Sequence, residues 1–181
     1  MARENKTQYA LLGYLHYKPL SGYDLKKMID ESIKFFWSEN YGHIYPVLKR
    51  LEKQGYVTRD EEQNPGKPTR KVYTITEAGR TYFGEWMERP PEPEKIRKEI
   101  LLKLFFSGFV PESPVVEYIE TEKRIQEELI DSYDNVKKHI DTHSQIPGKH
   151  KDLWMLTVEC GYEKAQAEIR WCDLALKSLK K

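Results

Sequence analysis

The chain has 181 residues, of which 39% are hydrophobic and 12% aromatic, and its 30 Lys and Arg nearly balance its 29 Asp and Glu. This composition can form a core and excludes a disordered chain, while the length allows one ordinary domain or two small ones. The longest apolar run, residues 101–109, contains Lys103 and Ser107 and is far shorter than the ~20 residues of a membrane span. We therefore expect no membrane association. Because residues 1–6 contain no apolar signal segment, we expect a cytoplasmic location.

Two short helices are predicted near the N-terminus. Apolar residues at helical spacing fill residues 9–15 and predict the first helix. Ser21, followed three residues later by Asp24, is typical of a capping box and predicts the start of the second helix. Leu25 and Ile29 are then expected on the buried side of that helix.

A third helix, more basic than the first two, is predicted to begin after Asn40, which is the expected N-cap, with Ser38 as the alternative. Ile44, Leu48 and Leu51 lie at i, i+4 and i+7, so they share one apolar face. Pro46 removes one hydrogen bond from the helix and is expected to tilt it there. The polar and basic side chains are left on the solvent side of the helix: His43, Lys49, Arg50 and Lys53.

A β-hairpin is predicted directly after this helix. Residues 56–58 and 72–75 are rich in β-branched and aromatic side chains, and the Asn, Pro and Gly of residues 64–68 favour a turn between them. The tip and return strand carry the charges that a wing would lay along a phosphate backbone: Lys67, Arg70 and Lys71. Two short helices, a basic third helix and a basic hairpin, in this order, predict a winged helix-turn-helix that binds DNA. A winged helix used only for protein contacts is the alternative.

The chain is predicted to divide at a proline-rich segment. Three prolines in four positions, Pro90, Pro91 and Pro93, cannot continue a helix. We expect a DNA-binding domain over residues 1–89 whose last helix Thr76 caps, a linker over residues 90–95, and a helical domain over residues 96–181. The predicted fold is therefore mainly α with a small β-hairpin, a winged helix-turn-helix followed by a helical dimerisation domain.

The C-terminal domain is predicted to contain three helices: a short one over residues 96–105, a second from Ser113, and a last one that begins within residues 149–153. The last helix carries two apolar stripes. The first stripe consists of Leu153, Leu156, Cys160, Ala167, Trp171 and Leu174, and the second of Trp154, Val158, Ala165, Ile169, Cys172 and Leu176. Three helices cannot cover both stripes well, so we expect a second copy of the chain to cover one. Ile169, Cys172 and Leu176 are the predicted dimer-interface residues, although which stripe forms the dimer stays open. A compact domain whose apolar positions all pack internally is the alternative.

No pattern in the chain indicates a metal site, a cofactor or an enzyme. Cys160 and Cys172 lie outside any metal motif and are interpreted as buried free thiols. His139 and His143 stand at i, i+4, but an exposed helix end explains them better than a metal. The chain contains no phosphate loop, nucleophile elbow or dinucleotide fingerprint.

Several segments closely resemble the PadR family of winged-helix transcriptional regulators. The resemblance is carried by residues 42–57, GHIYPVLKRLEKQGYV, by residues 66–79, GKPTRKVYTITEAG, and by residues 21–25, SGYDL. Residues 98–106, KEILLKLFF, resemble the start of the helical C-terminal domain in the longer, virulence-activator-like subfamily. The resemblance implies a homodimer whose C-terminal helices pair and whose third helices read a short inverted repeat. We expect such a regulator to be a repressor.

The resemblance also implies roles for particular residues. It assigns major-groove and phosphate contacts to Tyr41, Gly42, His43, Tyr45, Pro46 and Lys49, and wing contacts to Lys67, Arg70 and Lys71. Chemically, Asn40 or His43 could reach a base edge and Tyr45 a phosphate, although Tyr45 beside Ile44 could also simply pack. Some family members respond to small aromatic molecules held near the dimer interface. The candidate pocket here is formed by Trp154, Trp171, Tyr162 and Phe105, although aromatic side chains at helical spacing are more often core.

Overall fold

The computed structural model describes residues 5–62, 69–93, 96–110, 113–142 and 148–179. The chain forms two compact units, Met1–Pro93 and Glu94–Lys181. Among the described residues, no helix combines the length and the apolar character that a membrane span requires.

The N-terminal unit combines four helices with a small sheet. Its elements in chain order are α1 (Thr7–Leu15), β1 (Leu20–Ser21), α2 (Gly22–Ser32), α3 (Tyr41–Lys53), β2 (Val57–Glu62), β3 (Arg70–Ile75) and α4 (Glu77–Met87). The sheet is antiparallel with the order β1-β3-β2, so β3 is central. The hairpin was predicted, but β1 was not, because two residues that pair through only Leu20 and Ser21 leave no periodic pattern.

The predicted helix caps are confirmed. The side chains of Ser21, Asn40 and Thr76 accept hydrogen bonds from backbone N–H groups in the first turns of α2, α3 and α4. The Ser21 cap is a full capping box, since the carboxylate of Asp24 accepts in return from the backbone N–H of Ser21. Gly55 ends the α3 segment with a φ of 76°, a conformation that glycine adopts without strain.

The core of the N-terminal unit lies beneath the apolar face of α3. Ile44, Leu48 and Leu51 are fully buried and pack in one cluster with apolar side chains of α1, α2, β2 and β3. Pro46 lies inside α3 on the opposite, exposed side. Because the buried face fixes the rotation of α3, its polar face must point to solvent.

The C-terminal unit is helical. Its elements are α5 (Glu99–Phe106), a 3-10 turn (Ser107–Phe109), α6 (Val115–Thr142) and α7 (Gly148–Leu179). Two ion pairs between α6 and α7 join Lys123 to Asp173 and Lys137 to Glu159. The partner number on α7 falls as the residue number on α6 rises, so the two long helices pack antiparallel. The short helix begins later than predicted, because Lys98 is extended and Ile96, 81% exposed, lies before the helix.

The two stripes of α7 differ in burial. In the second stripe Val158, Ala165 and Cys172 are buried, and Cys172 packs with Val115 and Ile119 of α6. The prediction that Cys172 lies in a dimer interface is therefore wrong, because its own chain encloses it completely. Ile169 and Leu176 are half-buried, and Leu176 packs against the same cluster.

The first stripe is the one left open. Leu156 is 64% exposed and Leu174 66%, and Leu153 and Cys160 are also exposed. The prediction that both thiols are buried is thus wrong for Cys160. Helical periodicity detects an apolar stripe but does not say which stripe the neighbouring helix of the same chain will cover.

Candidate nucleic-acid interface

The polar face at the start of α3 gathers most of the residues predicted to contact DNA. Asn40, Tyr41, Gly42, His43, Tyr45, Pro46 and Lys49 are all exposed. Since the apolar face is buried, the N-terminal turn of α3 and its backbone N–H groups lie at the surface. Such a turn favours contact with phosphate, and the polar side chains beside it can reach base edges.

A row of three tyrosines extends this surface onto α2. The rings of Tyr23 and Tyr41 lie 6.4 Å apart and those of Tyr41 and Tyr45 lie 6.3 Å apart, measured between ring centroids. The ammonium of Lys26 lies 5.8 Å from the centroid of the Tyr41 ring. Tyr23 and Lys26 were not among the predicted site residues. Their spacing from buried Leu25 and Ile29 places exposed Tyr23 and half-buried Lys26 outside the core of α2, but it does not show that α2 lies beside α3.

Tyr45 both packs and stays accessible. Its ring lies against the backbone of Gly22, where an added Cβ would meet the ring carbon Cε1 at 2.6 Å. Nevertheless, 46% of Tyr45 remains exposed. Gly22 therefore provides the space in which the Tyr45 ring rests at the junction of α2 and α3.

His43 is held by a buried carboxylate. Its Nδ1 lies 3.3 Å from Oε2 of Glu39, and the Glu39 side chain is only 7% exposed whereas that of His43 is 67% exposed. The other oxygen of Glu39 accepts hydrogen bonds from Thr7 Oγ1 and Trp37 Nε1. Glu39 was also missed, because an isolated Glu before an N-cap is most often a solvated side chain.

Two of the predicted wing cations, Arg70 and Lys71, lie beside carboxylates. Arg70, at the start of β3, forms an ion pair with Asp24 of α2. In the hairpin register Lys71 lies opposite Glu61 and Arg70 opposite Glu62. Arg70 and Lys71 are both exposed, and Lys67 lies outside the described residues. The carboxylates beside these two cations weaken the attraction that the strand can exert on phosphate.

Asp24 links the α2 cap to the wing. Partial burial acts to raise the pKa of its carboxyl, but the hydrogen bonds from Ser21 and the charge and hydrogen bond of Arg70 outweigh burial and lower the pKa below the usual value for Asp. The carboxylate that caps α2 thus also holds the wing strand at its base.

The four candidate effector residues are not brought together within one chain. Trp154, Tyr162 and Trp171 lie on α7, and 17 residues of helix separate the two tryptophans by about 25 Å along the axis. Phe105 lies on α5, is 79% exposed and packs edge-on against Phe106. Within one chain the two tryptophans are therefore too far apart along the helix to share a pocket, and a pocket near the dimer interface stays a prediction.

Metal ligands are not clustered in the part of the chain that the structure describes, where no group of three or more His, Cys, Asp or Glu could hold an ion. His143, one of the two histidines considered above, lies outside that part.

Helices α1 to α3, a three-stranded antiparallel sheet with β2 and β3 as the wing, and an exposed polar face on α3 define a winged helix-turn-helix protein. Residues 11–85 match the model of the transcriptional regulator PadR-like family, and residues 96–180 match the model of the virulence activator alpha C-terminal domain. The chain belongs to the PadR-like family of transcriptional regulators and carries this second domain after the winged helix.

Two curated relatives illustrate the similarity. The negative transcriptional regulator PadR of Bacillus subtilis is 37% identical over 100 residues, so the chain spans only 55% of that relative's length and the match covers 55% of this chain. A probable transcriptional regulator of Mycobacterium tuberculosis is 24% identical over 94% of this chain and 96% of its own. Because these relatives are named as regulators, the prediction that the chain is not an enzyme is confirmed.

Solved structures agree with the whole fold. Bacillus subtilis PadR in complex with operator DNA aligns over 97% of this chain and 99% of its own, with a TM-score of 0.85 and 23% identity. The same protein in complex with p-coumaric acid aligns with a TM-score of 0.77 and 24% identity, over 98% of this chain and 100% of its own. The virulence activator AphA of Vibrio cholerae aligns with a TM-score of 0.76 and 26% identity, over 96% and 97% of the two chains. The predicted fold, a winged helix followed by a helical domain, is confirmed.

Proposed function

We propose that the protein is a sequence-specific DNA-binding regulator that places the first turns of α3 in the major groove. The observation that carries this proposal is the division of α3 into a fully buried apolar face and an exposed polar face from Asn40 to Lys49. A helix held in this way presents its N-terminal side chains to a groove without losing the core. The Bacillus subtilis relative, solved with operator DNA, supports the same reading.

The regulator acts as a homodimer on a short inverted repeat. Leu153, Leu156 and Leu174 form an exposed apolar stripe on α7, and a soluble chain seldom leaves such a stripe uncovered. A two-fold partner on this stripe would pair two α3 helices with two half-sites. We assign this protein the role of a repressor, because the Bacillus subtilis relative is named as a negative transcriptional regulator. A protein that binds chromosomal DNA must be in the same compartment as that DNA, which agrees with the expected cytoplasmic location.

Binding to duplex DNA at two salt concentrations tests this function. Each phosphate contact that is lost makes the slope of log affinity against log salt shallower by about 0.9. We expect Lys49→Ala, on the exposed face of α3, to weaken binding to all duplexes and to flatten the slope by about one. Lys138→Ala, at an exposed position on α6 in the second unit, is the matched control and should change neither value.

A winged helix used only for protein contacts predicts a different result. It would show no salt-dependent affinity for any duplex, including the promoter region of its own gene. That outcome would refute the DNA-binding function and favour the protein-interaction module.

A small aromatic effector is a second part of the proposal. The support is the Bacillus subtilis relative solved with p-coumaric acid, not a pocket formed by the four aromatic residues named above. Isothermal titration of the full-length protein with p-coumaric acid tests it. Heat of binding together with weaker duplex affinity would support an effector, whereas no heat at millimolar ligand would exclude this compound.

A further inference from the structure

The hydrogen-bond network before α3 has a feature that the proposed function does not require. It brings a buried carboxylate, Glu39, to the ring of His43, an exposed side chain on the polar face of α3. We propose that Glu39 is a positioning residue that sets the tautomer of His43, and thereby makes Nε2 of His43 a hydrogen-bond acceptor toward DNA. The second half of this inference rests on the proposed DNA-binding function, whereas the first half does not.

Glu39 is anchored from two sides. Its Oε1 accepts a hydrogen bond of 2.5 Å from Oγ1 of Thr7, the first residue of α1, and one of 3.0 Å from the indole Nε1 of Trp37. An indole nitrogen can only donate, and the hydroxyl of Thr7 donates here as well. One carboxylate oxygen is therefore engaged by two donors that belong to the fold of the N-terminal unit.

The second oxygen faces the imidazole. Oε2 of Glu39 lies 3.3 Å from Nδ1 of His43, four residues along the chain. An ionised carboxylate only accepts hydrogen bonds, so at this distance a hydrogen on Nδ1 is favoured over a lone pair that faces Oε2. In a neutral imidazole only one nitrogen is protonated, so Nε2 keeps its lone pair. Because the two ring nitrogens point in different directions, Nε2 is directed away from Glu39.

The tautomer decides which bases His43 can recognise. An unprotonated Nε2 matches a hydrogen-bond donor in the major groove, which is the N6 amino group of adenine or the N4 amino group of cytosine. The opposite tautomer would present an N–H and match the acceptors N7 and O6 of guanine. Glu39 would thus influence which operator sequence the protein binds, without itself contacting DNA.

A merely structural role for Glu39 is the competing explanation. A carboxylate just before the N-cap of α3 interacts favourably with the helix dipole, and two hydrogen-bond donors together with the nearby imidazole satisfy its buried charge. That role predicts a loss of stability on mutation but says nothing about which nitrogen of His43 is protonated. The tautomer is therefore the quantity to measure.

The first measurement uses the wild-type protein at full length. Two-bond ¹H–¹⁵N correlation spectra of ¹⁵N-histidine-labelled protein distinguish protonated from unprotonated ring nitrogens. Spectra are recorded at a pH at which the ring of His43 is neutral, and the His43→Gln variant identifies its signals by their absence. We expect Nδ1 protonated and Nε2 unprotonated. A neutral ring with the proton on Nε2 would overturn the proposal without any mutation of Glu39.

The second measurement reverses the network. In Glu39→Gln the amide oxygen can still accept from Thr7 and Trp37, while the amide NH₂ group faces Nδ1 and donates to it. We expect the pattern of the His43 nitrogens to exchange, with Nε2 now protonated. An unchanged pattern in a variant with wild-type thermal unfolding would overturn the proposal. Thr7→Val, which removes one anchor but keeps the carboxylate, is the control and should keep the wild-type tautomer.

The third measurement asks whether DNA responds to the exchange. On its cognate duplex Glu39→Gln should bind about tenfold more weakly, because one base contact loses its match. Replacing the contacted base pair so that it offers guanine should restore binding to Glu39→Gln and weaken the wild type. Equal losses on cognate and random duplexes would overturn the base-reading half. If neither protein shows salt-dependent duplex affinity, the proposed function fails, while the two spectra still decide the role of Glu39.

Discussion

Helices α3 and α7 are both amphipathic, but they differ in how their neighbours are chosen. Helix α3 has one apolar face, and its three fully buried members lie in a single core. Helix α7 has two apolar stripes: its own chain covers most of one and leaves most of the other exposed, apart from half-buried Trp171. A single apolar face is therefore enough to predict the orientation of a helix. With two apolar faces, the orientation depends on which neighbouring helix or chain covers each face.

The largest expected effect concerns the exposed stripe of α7. Leu156→Lys would place an unpaired charge in the proposed interface and weaken the dimer by about 4 kcal/mol, while the second unit stays folded because Leu156 is exposed in the single chain. Sedimentation equilibrium at micromolar concentration measures the change. Thr157→Lys, on the same helix but off the stripe, is the control.

If the Leu156→Lys variant still forms a dimer, the partner chain does not cover the exposed stripe of α7, and the contrast between α3 and α7 fails. A wild-type chain that sediments as a monomer of about 21.5 kDa would show that neither stripe needs a partner.

Disruption of the single apolar face of α3 should be next in size. Leu48→Ala removes a fully buried side chain and should lower the free energy of unfolding by about 3 kcal/mol. Lys53→Ala, exposed on the same helix, should change it by less than about 0.5 kcal/mol. Denaturation with urea gives both values. Equal effects would mean that α3 is not oriented by its apolar face.

Gly22 tests how α2 supports the polar face of α3. A methyl group at this position would meet the Tyr45 ring, which must then move, so Gly22→Ala should weaken duplex binding about fivefold to tenfold, or about 1 kcal/mol. Gly84→Ala, on α4 where an added Cβ meets nothing within 4 Å, should leave binding unchanged. If the effect acts through the ring, Gly22→Ala should have no further effect in a Tyr45→Ala background. An additive double mutant would contradict this coupling.

The smallest expected effect is a pH dependence at the base of the wing. The pKa of Asp24 is lower in the folded protein, so its contribution to stability is complete above the unfolded value of about 3.9 and is lost as the pH falls through the lower folded pKa. Asp24→Asn should remove this contribution, by less than about 1 kcal/mol because the pair is partly exposed. Unfolding of both proteins between pH 6 and pH 2 measures it. Curves that stay parallel below pH 4 would exclude the stabilising role of this carboxylate.

Much of the N-terminal unit could be predicted because its signals are local. Caps such as Ser21 and Asn40 act within three residues, and the apolar period of α3 extends over only two turns. The exposed site residues follow from the same period, since they occupy the positions of α3 that do not belong to its apolar face. Tyr23 was missed because its importance depends on α2 lying beside α3. Glu39 was missed because its partner Thr7 lies 32 residues away.

By itself, the sequence determined the order of the elements, their caps, the face of α3 that is buried and the family resemblance, because each depends on residue types at short spacings. Only the tertiary structure decided that Cys172 lies inside the chain and Leu156 outside, that Arg70 pairs with Asp24, and that Glu39 holds His43. These facts depend on which of several chemically suitable neighbours is brought close. The packing of distant segments determines that neighbour, and the periodic pattern along one helix does not predict it.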